Sequence, residues 1–339
     1  MDRKKFIRDT LKDSTLTFIG VGIAKDLFAS KGLNTLTNTS KQNRLMPFNE
    51  QTIVSSTYKL NGKDVKVYAI QTGLISVKTN FMTKKGSGII SKLNIFLGHQ
   101  HTDYLPIWVW LIDHPEGVII IDTGDIEEAD HKSFYKNESI GDKFNLMAMA
   151  NKRKISKEDE LNNQLLKINI KPEQVSKVVL THLHGDHTDG IKFFPNNEII
   201  ANELEHKHPY GNLPTTYPNW FKPTLINYEK NRVQYFDIAY PITKSEDLLL
   251  VPTPGHTHYH SSVLFKTDNE HILFAGDTSY NQGQLQNNKF AGANVDYKKS
   301  QDTYTIIKQY ASKYPTIYLP SHDINSGNRL LKKEIIVTD

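Results

Sequence analysis

The sequence predicts an α/β domain in which several β-strands end at one shared edge that carries histidine and aspartate side chains. Short apolar runs typical of strands recur from residue 65 onward, and apolar residues at helical spacing separate two of them. Four of these runs lead directly into a loop that contains His or Asp. Because these side chains could meet only if the strands share a sheet edge, the pattern predicts one site built from distant loops.

Composition narrows the class of protein. The 339 residues allow one large domain or two small ones, and 38% apolar residues support a sizeable core. The absence of cysteine excludes disulfides and thiolate metal ligands. The net charge of +4 is scattered along the chain, which is typical of a solvated surface and argues against a nucleic-acid-binding protein.

The N-terminal region has the layout of an export signal. Basic residues at Arg3–Lys5 precede a weakly apolar stretch, Leu16–Ala24, and small residues follow at Ala29 and Ser30. We therefore predict a signal peptide over residues 1–29 and a periplasmic or secreted protein. The alternative is an ordinary amphipathic helix on a cytoplasmic protein. The apolar stretch is too short to span a bilayer, so stable membrane insertion is not expected.

The polar composition of residues 30–64 predicts a linker or N-terminal arm, which leaves residues 65–339 as the folded domain. Residues 113–117 predict the turn of a hairpin, and residues 161–168 have helical spacing. Residues 202–240, rich in Pro, Tyr, Trp and His, are predicted to be a long insertion rather than sheet. The predicted strands cover residues 65–70, 107–112, 118–121, 178–180, 198–201, 248–251, 262–266, 271–275 and 316–319.

The most informative stretch runs from Thr181 to His187 and contains three histidines and an aspartate. His182 and His184 are two positions apart, so in an extended segment they face the same side. Imidazole and carboxylate together suit zinc and similar divalent ions. A chance match or a polar turn is the alternative for this loop considered alone.

Later strand ends supply the remaining polar groups of such a site. His256 follows the strand at 248–251, Asp277 follows the strand at 271–275, and His322 follows the last strand. Each residue alone would be interpreted as a helix cap or a solvated group. In this order and context, together with the histidine loop, they indicate a metal centre.

These motifs resemble the metallo-β-lactamase superfamily, which carries a His-x-His-x-Asp-His loop followed by a lone His, a lone Asp and a last His. Asp122, at the end of an earlier predicted strand, matches the early aspartate of that family. The resemblance covers about residue 65 to the C-terminus. It implies an αββα sandwich, with two β-sheets face to face, helices outside, and a dinuclear metal site at one edge.

Within that superfamily the sequence is most similar to the quorum-quenching N-acyl-homoserine lactone lactonases. The segment from Thr253 to Ser261 resembles that group's Thr-Pro-Gly-His-x-Pro-Gly-His, and Tyr280 lies three residues after Asp277, as in those enzymes. Residues 321–324 resemble their Gly-His-Asp-Ile. His258-Tyr259 replaces the group's Pro-Gly, which leaves the substrate range open.

The resemblance also implies the roles of the site residues. One metal is expected to bind His182, His184 and His256, the other Asp186, His187 and His322, and Asp277 is expected to bridge them. Zinc is the expected metal, although cobalt, manganese or iron would accept the same nitrogen and oxygen donors.

The chemistry that follows from the resemblance is hydrolysis of a small acyl lactone. A hydroxide shared by the two ions would attack the lactone carbonyl. Tyr280 would donate a hydrogen bond to the carbonyl oxygen, and Asp186 would pass a proton to the leaving alkoxide. Asp122 is expected to orient a ligand imidazole, and His260 to support the loop of His256.

Several questions stay open at this stage, including homodimer formation and the substrate. A general ester or thioester hydrolase, an arylesterase, a β-lactamase or a phosphodiesterase could use the same metal core. The scattered charge disfavours a ribonuclease, and the complete ligand set disfavours a mononuclear iron dioxygenase.

An acyl chain would need an apolar groove. The candidate residues could line such a groove, or they could simply pack under long loops. They are Phe81, Met82, Phe144, Met147, Met149, Tyr217, Trp220 and Phe221.

Overall fold

Two β-sheets pack face to face in the computed structural model, which describes residues 52–86, 94–95, 97–149, 151–233 and 235–338. The strands are β1 Ile53–Leu60, β2 Lys63–Ser76, β3 Leu105–His114, β4 Gly117–Ile121, β5 Lys152–Lys154, β6 Val175–Val179, β7 Glu198–Asn202, β8 Thr224–Ile226, β9 Glu229–Val233, β10 Phe236–Pro241, β11 Leu248–Pro252, β12 Ser261–Lys266, β13 His271–Gly276 and β14 Thr316–Pro320.

Helices flank the two sheets. The α-helices are α1 Thr79–Met82, α2 Ile140–Met149, α3 Leu161–Lys167, α4 Gly185–Thr188, α5 Glu203–Lys207, α6 Gln282–Gln286, α7 Tyr297–Lys313 and α8 Ser326–Lys332. Short 3-10 helices lie at Glu127–Asp130, Lys132–Tyr135, Lys157–Asp159, Pro172–Gln174, Asp189–Phe193 and Pro214–Thr216. Within the described ranges, no helix has the length and apolar character needed to cross a bilayer.

The first sheet has the strand order β1-β2-β3-β4-β6-β7-β8, and β5 pairs with β2 outside this path. Strands β4, β6, β7 and β8 run parallel to one another. The second sheet has the order β14-β13-β12-β11-β10-β9, and β13 and β14 are parallel. Parallel neighbours bring their carboxyl ends to the same sheet edge, so the loops after β4 and β6, and those after β13 and β14, emerge together.

Alternating side chains produce the layers. In β3, Trp110 joins the core between the two sheets, whereas its neighbour Val109 joins the cluster that includes Leu165 of α3. In β13, Phe274 faces the space between the sheets and Leu273 packs against α7. A strand that is covered on both faces has a nearly continuous apolar sequence, and these strands could therefore be predicted from the sequence. The predicted αββα sandwich is confirmed.

Helix α7 illustrates the outer layer. Its buried residues recur every three or four positions, as expected of a helix that buries one face against a sheet. Asp296 caps the helix, since its side chain accepts a hydrogen bond from the backbone N–H of Lys299 at 3.0 Å. Tyr304, Ile307 and Tyr310 form its packed face.

Two predictions about the extent of the sheets are wrong. Strand β1 lies at Ile53–Leu60, ahead of the predicted first strand at Val65, so part of the predicted arm is an edge strand. Residues 202–240 are not only an insertion, because they contain α5, β8, β9 and most of β10. These strands are short and lie at or next to sheet edges, where one side is solvated and no continuous apolar run is needed. The predicted signal peptide at 1–29 lies outside the described residues.

Candidate metal centre

The histidine loop follows β6 and ends in a one-turn helix. Strand β6 stops at Val179, and α4 begins immediately after His184. The backbone N–H of His187 donates to the carbonyl of His184 at 3.1 Å, which turns the chain. This turn places Asp186 and His187 beside His182 and His184, although Asp186 and His187 lie in helix α4 and the two earlier histidines lie in the extended loop before it.

Three histidines form the first group, called here the three-histidine set: His182, His184 and His256. The Nδ1 atom of His184 lies 3.0 Å from Nε2 of His182 and 3.0 Å from Nε2 of His256. The other nitrogen of His184 lies 3.0 Å from the backbone carbonyl of Tyr210, which must accept its N–H. The Nδ1 atom of His184 therefore carries a lone pair, and this lone pair faces the Nε2 atoms of His182 and His256. A divalent cation fits this arrangement because it accepts all three lone pairs.

The second group, called here the carboxylate set, consists of Asp186, His187 and His322. Nε2 of His322 lies 3.2 Å from Oδ2 of Asp186. Asp277 faces both sets: its Oδ1 lies 3.3 Å from Nε2 of His187 and of His322, and its Oδ2 lies 3.3 Å from Nε2 of His256. Nε2 of His187 and Oδ1 of Asp277 are buried without a hydrogen-bond partner. A cation between them would satisfy both atoms, so the residues present fit a metal pair.

Neighbouring groups fix which nitrogen of each ring faces the centre. Oδ2 of Asp122 lies 2.8 Å from Nδ1 of His187, and the carbonyl of Pro106 lies 2.9 Å from Nδ1 of His322. Asp122 has a left-handed backbone, with φ of 62°, and its Oδ1 accepts from the backbone N–H of Thr181 at 2.8 Å. Such strain in a non-glycine residue persists where surrounding contacts determine it. Asp122 thus contacts the imidazole of His187, one of the predicted ligands, and holds its Nδ1 away from the centre.

Electrostatics separate the histidines into two kinds. Burial, and then the neighbouring imidazoles, lower the pKa of His182 well below its ordinary value, which keeps its nitrogen available as a ligand. Burial also opposes charge on His322, but Asp277 and Asp186 raise its pKa to about 10. Asp277 and Asp186 thus place negative charge beside His322, where it would stabilise a bound cation.

His260 supports the centre without facing it. Its Nδ1 lies 2.9 Å from the hydroxyl of Thr253, and its Nε2 accepts from the backbone N–H of Asp277 at 3.0 Å. Gly276 has φ of 53°, and a Cβ there would lie 2.7 Å from Nε2 of His260. The close approach therefore depends on glycine. His260 holds the loops of His256 and Asp277 together, as the sequence predicted.

Tyr280 lies beside one histidine of each set. Its ring centroid is 5.5 Å from that of His322 and 6.3 Å from that of His256, and the residue is 7% exposed. Burial, followed by the negative charges of Asp277 and Asp186, raises the pKa of the phenol well above its ordinary value. Tyr280 therefore remains protonated at neutral pH and can act as a hydrogen-bond donor.

The structure brings together all seven predicted metal ligands and Tyr280. The candidate groove residues whose side chains are described lie in two separate places, one around Phe81 and one around Tyr217. Phe81 is buried in a cluster with Val77, and Met82 and Met149 pack against that cluster. Tyr217 and Phe221 are in contact, with ring centroids 5.0 Å apart, whereas Trp220 is 41% exposed. The side chains of Phe144 and Met147 lie outside the described part of the chain.

Sequence reasoning missed the groups that hold the ligand loops from outside. These include the carbonyls of Tyr210 and Pro106, which carry no side-chain signal at all. Glu205 was also missed because it lies in the segment interpreted as an insertion. Nothing in the sequence of the five-residue helix α5 indicates that Glu205 is only 2% exposed.

Comparison with known proteins identifies the family. The sequence profile of the metallo-beta-lactamase superfamily matches residues 102–322. An N-acyl homoserine lactonase of a Bacillus species is 28% identical over 224 residues, which cover 65% of this chain and 82% of that protein. The N-acyl homoserine lactonase AttM of Rhizobium radiobacter is 25% identical over 274 residues, 77% of this chain and 94% of that protein.

A solved structure shows the same fold. It is an N-acyl homoserine lactone hydrolase with the product N-hexanoyl-L-homoserine bound at the catalytic metal centre, and it matches with a TM-score of 0.63 at 22% identity. The match covers 83% of this chain and 100% of that chain. Because the superfamily profile spans more than half of the sequence and the sandwich has the same fold, this protein belongs to the metallo-β-lactamase superfamily.

Proposed function

We propose that this protein is a dinuclear metal hydrolase that opens the lactone ring of N-acyl-homoserine lactones, and thereby quenches quorum-sensing signals. The observation that carries the proposal is Tyr280 beside seven clustered His and Asp side chains that could hold metal ions. The lactonase relatives at 25% and 28% identity support the same substrate class.

The ligand sets suit two divalent ions, with His182, His184 and His256 holding one, Asp186, His187 and His322 the other, and Asp277 between them. Zinc matches these nitrogen and oxygen donors, and cobalt, manganese or iron would also be accepted. When bound, such a pair supplies Lewis acidity and a nucleophilic water at neutral pH.

Tyr280 contributes through its protonated hydroxyl. In ring opening, negative charge builds on the carbonyl oxygen of the lactone as the carbonyl carbon becomes tetrahedral. A buried phenol that stays protonated can donate a hydrogen bond to that oxygen, and the bond strengthens as the charge develops. Because the ring is held beside His256 and His322, the donor requires little reorganisation.

Asp186 is proposed to move the proton. Burial opposes its charge, but His187 and His322 lower its pKa below the ordinary value, so the carboxylate is ionised at neutral pH. It can take the proton released as water adds to the carbonyl carbon, and deliver it to the alkoxide formed when the ring C–O bond breaks. Water is thereby added across that bond, and the product is an acyl-homoserine.

A substrate panel on purified, zinc-loaded protein tests this proposal. It compares acyl-homoserine lactones with simple lactones, p-nitrophenyl esters, S-lactoylglutathione, nitrocefin and a phosphodiester. We expect the highest kcat/KM for an acyl-homoserine lactone, and loss of that activity in Asp277→Asn. A higher kcat/KM for one of the other classes would reassign the protein to that class of hydrolase.

A further inference from the structure

We infer that residues 202–217, called here the clamp segment, hold the three-histidine set in its binding geometry and control metal affinity on that side of the centre alone. The segment comprises the last residue of β7, helix α5 and the chain that follows it. The inference rests on the dinuclear centre of the proposed function, but it does not depend on the substrate.

The first contact joins α5 to the loop of His256. Glu205 is 2% exposed, and its Oε2 accepts a hydrogen bond from the hydroxyl of Thr257 at 2.9 Å. Burial raises the pKa of this carboxyl to about 7, and the hydroxyl of Thr257 and the nearby backbone N–H groups of Leu183 and Tyr259 limit that rise. One buried side chain therefore contacts residues that adjoin His182, His184 and His256.

Asn202 repeats this connection at the start of α5. Its side-chain amide donates to the carbonyl of Tyr259 at 3.0 Å, while its Oδ1 accepts from the backbone N–H of Leu204 at 2.9 Å. The same residue thus caps the helix and ties it to the loop of His256. The helix that presents Glu205 is anchored to the loop that Glu205 contacts.

The second half of the clamp segment reaches the ligand His184 itself. The carbonyl of Tyr210 lies 3.0 Å from Nε2 of His184 and leaves Nδ1 to face the centre. Gly211 follows with φ of 73°, and a Cβ there would lie 2.8 Å from Nε2 of His184. The backbone can approach the imidazole this closely because glycine occupies the position.

Tyr217 completes the segment. Its hydroxyl donates to the carbonyl of Leu183 at 3.2 Å, and Leu183 lies between His182 and His184 in the histidine loop. Its ring packs against Phe221. A hydroxyl at the far end of the segment therefore contacts the same loop that Tyr210 and Glu205 contact.

The carboxylate set is held by different elements. Asp122, which follows β4, orients His187, and the carbonyl of Pro106 in β3 orients His322. Groups that orient metal-bound imidazoles typically contribute 10-fold to 100-fold in metal affinity. Asp122 also accepts from Thr181, whose hydroxyl lies 3.1 Å from Nδ1 of His182, so it supports members of both sets. The contacts of the clamp segment described above run instead to His184, Leu183 and the loop of His256, so weakening that segment should affect one ion and spare the other.

The test measures zinc affinity of the full chain by competition with a chelator. We compare Glu205→Ala with Glu205→Gln, which keeps an acceptor for Thr257, and with Glu203→Ala as a matched control. Glu203 lies on the same helix but pairs with Lys207. We expect Glu205→Ala to weaken one of the two ions about 10-fold to 100-fold, while Glu205→Gln restores most of the affinity and Glu203→Ala leaves it unchanged.

Two backgrounds identify the affected ion. In His322→Ala, which leaves the three-histidine set intact, Glu205→Ala should weaken zinc binding; in His256→Ala it should not. Equal losses in both backgrounds, or no loss in the otherwise unchanged protein, would overturn the inference. If Glu205→Ala does not fold, Tyr217→Phe decides the same comparison, because it removes only the hydroxyl that contacts Leu183. No lactone is used, so failure here is distinct from failure of the proposed substrate.

Discussion

Replacing Tyr280 by Phe tests the proposed chemistry most sharply at a single residue. The substitution removes the hydroxyl but keeps the ring beside His256 and His322, so the fold and the metal ligands should be preserved. The phenol binds no metal in the proposed arrangement. We therefore expect unchanged metal content and a lower rate of lactone opening.

The magnitude follows from the role of the hydroxyl. Removing one preorganised donor to a developing oxyanion can cost about 10²-fold to 10³-fold in rate. A Lewis acid that shares the same oxygen should reduce the loss to roughly 10-fold to 100-fold. This range corresponds to about 1.4 to 2.7 kcal/mol of transition-state stabilisation.

The assay is steady-state turnover of an acyl-homoserine lactone by both proteins, with metal content measured on the same samples. The decrease should appear largely in kcat, because the hydrogen bond strengthens only as charge builds on the oxygen. An unchanged kcat at equal metal content would remove Tyr280 from the mechanism.

Three further predictions concern other parts of the chain. Asp122→Asn should lower zinc affinity on the side of His187 about 10-fold to 100-fold, because the carboxylate that orients this imidazole is lost. Competition with a chelator measures the zinc affinity, and a variant that binds zinc as tightly as the wild type would refute the prediction. Burial alone raises the pKa of Asp247, but hydrogen bonds from a histidine and two hydroxyls lower it to about 2. The stability that ionised Asp247 contributes is therefore present above the ordinary carboxyl pKa and is lost as the pH falls towards 2. When the free energy of unfolding is measured against pH, Asp247→Asn should lose less stability in acid than the wild type. The same loss of stability in both proteins between the ordinary carboxyl pKa and pH 2 would contradict this prediction. Finally, a fusion of residues 1–40 to a reporter should be exported and cleaved near residue 30, whereas an intact fusion in the cytoplasm would refute the signal peptide.

The clustering of the candidate ligands could be predicted because these residues follow buried strands. Strands β11, β13 and β14 are buried along almost their whole length, and β6 is buried at its carboxyl end, so each produces a short apolar run that is visible in the sequence. A histidine or aspartate immediately after such a run lies at the carboxyl edge of the sheet. The family resemblance then assigned the residues to the two ligand sets.

The edges of the sheets could not be predicted in the same way. Strand β1 has the sequence IVSSTYKL, in which most side chains are partly exposed, and β8 has only three residues. An edge strand has a partner on one side only, so its sequence is free to be polar. Composition therefore indicated a linker that includes residues 53–60 and an insertion at residues 202–240, although β1 lies in the first range and β8, β9 and most of β10 lie in the second.

The clamp segment was invisible for a different reason. Its contact with His184 is made by a backbone carbonyl, which every residue possesses, and Tyr210 itself is partly exposed. Glu205 is recognisable only after folding brings α5 against Thr257. Such long-range contacts leave no periodicity in the sequence.

Reconstitution of metal-free protein with zinc tests whether this protein is a dinuclear hydrolase. We expect no lactone hydrolysis without metal, and activity that rises until about two zinc ions are bound per chain, as expected for two ligand sets that share one carboxylate. Asp277→Ala should impair both ions, because Asp277 faces both sets. Full activity with a single bound ion, or hydrolysis that persists in the metal-free protein, would rule out a dinuclear metal hydrolase.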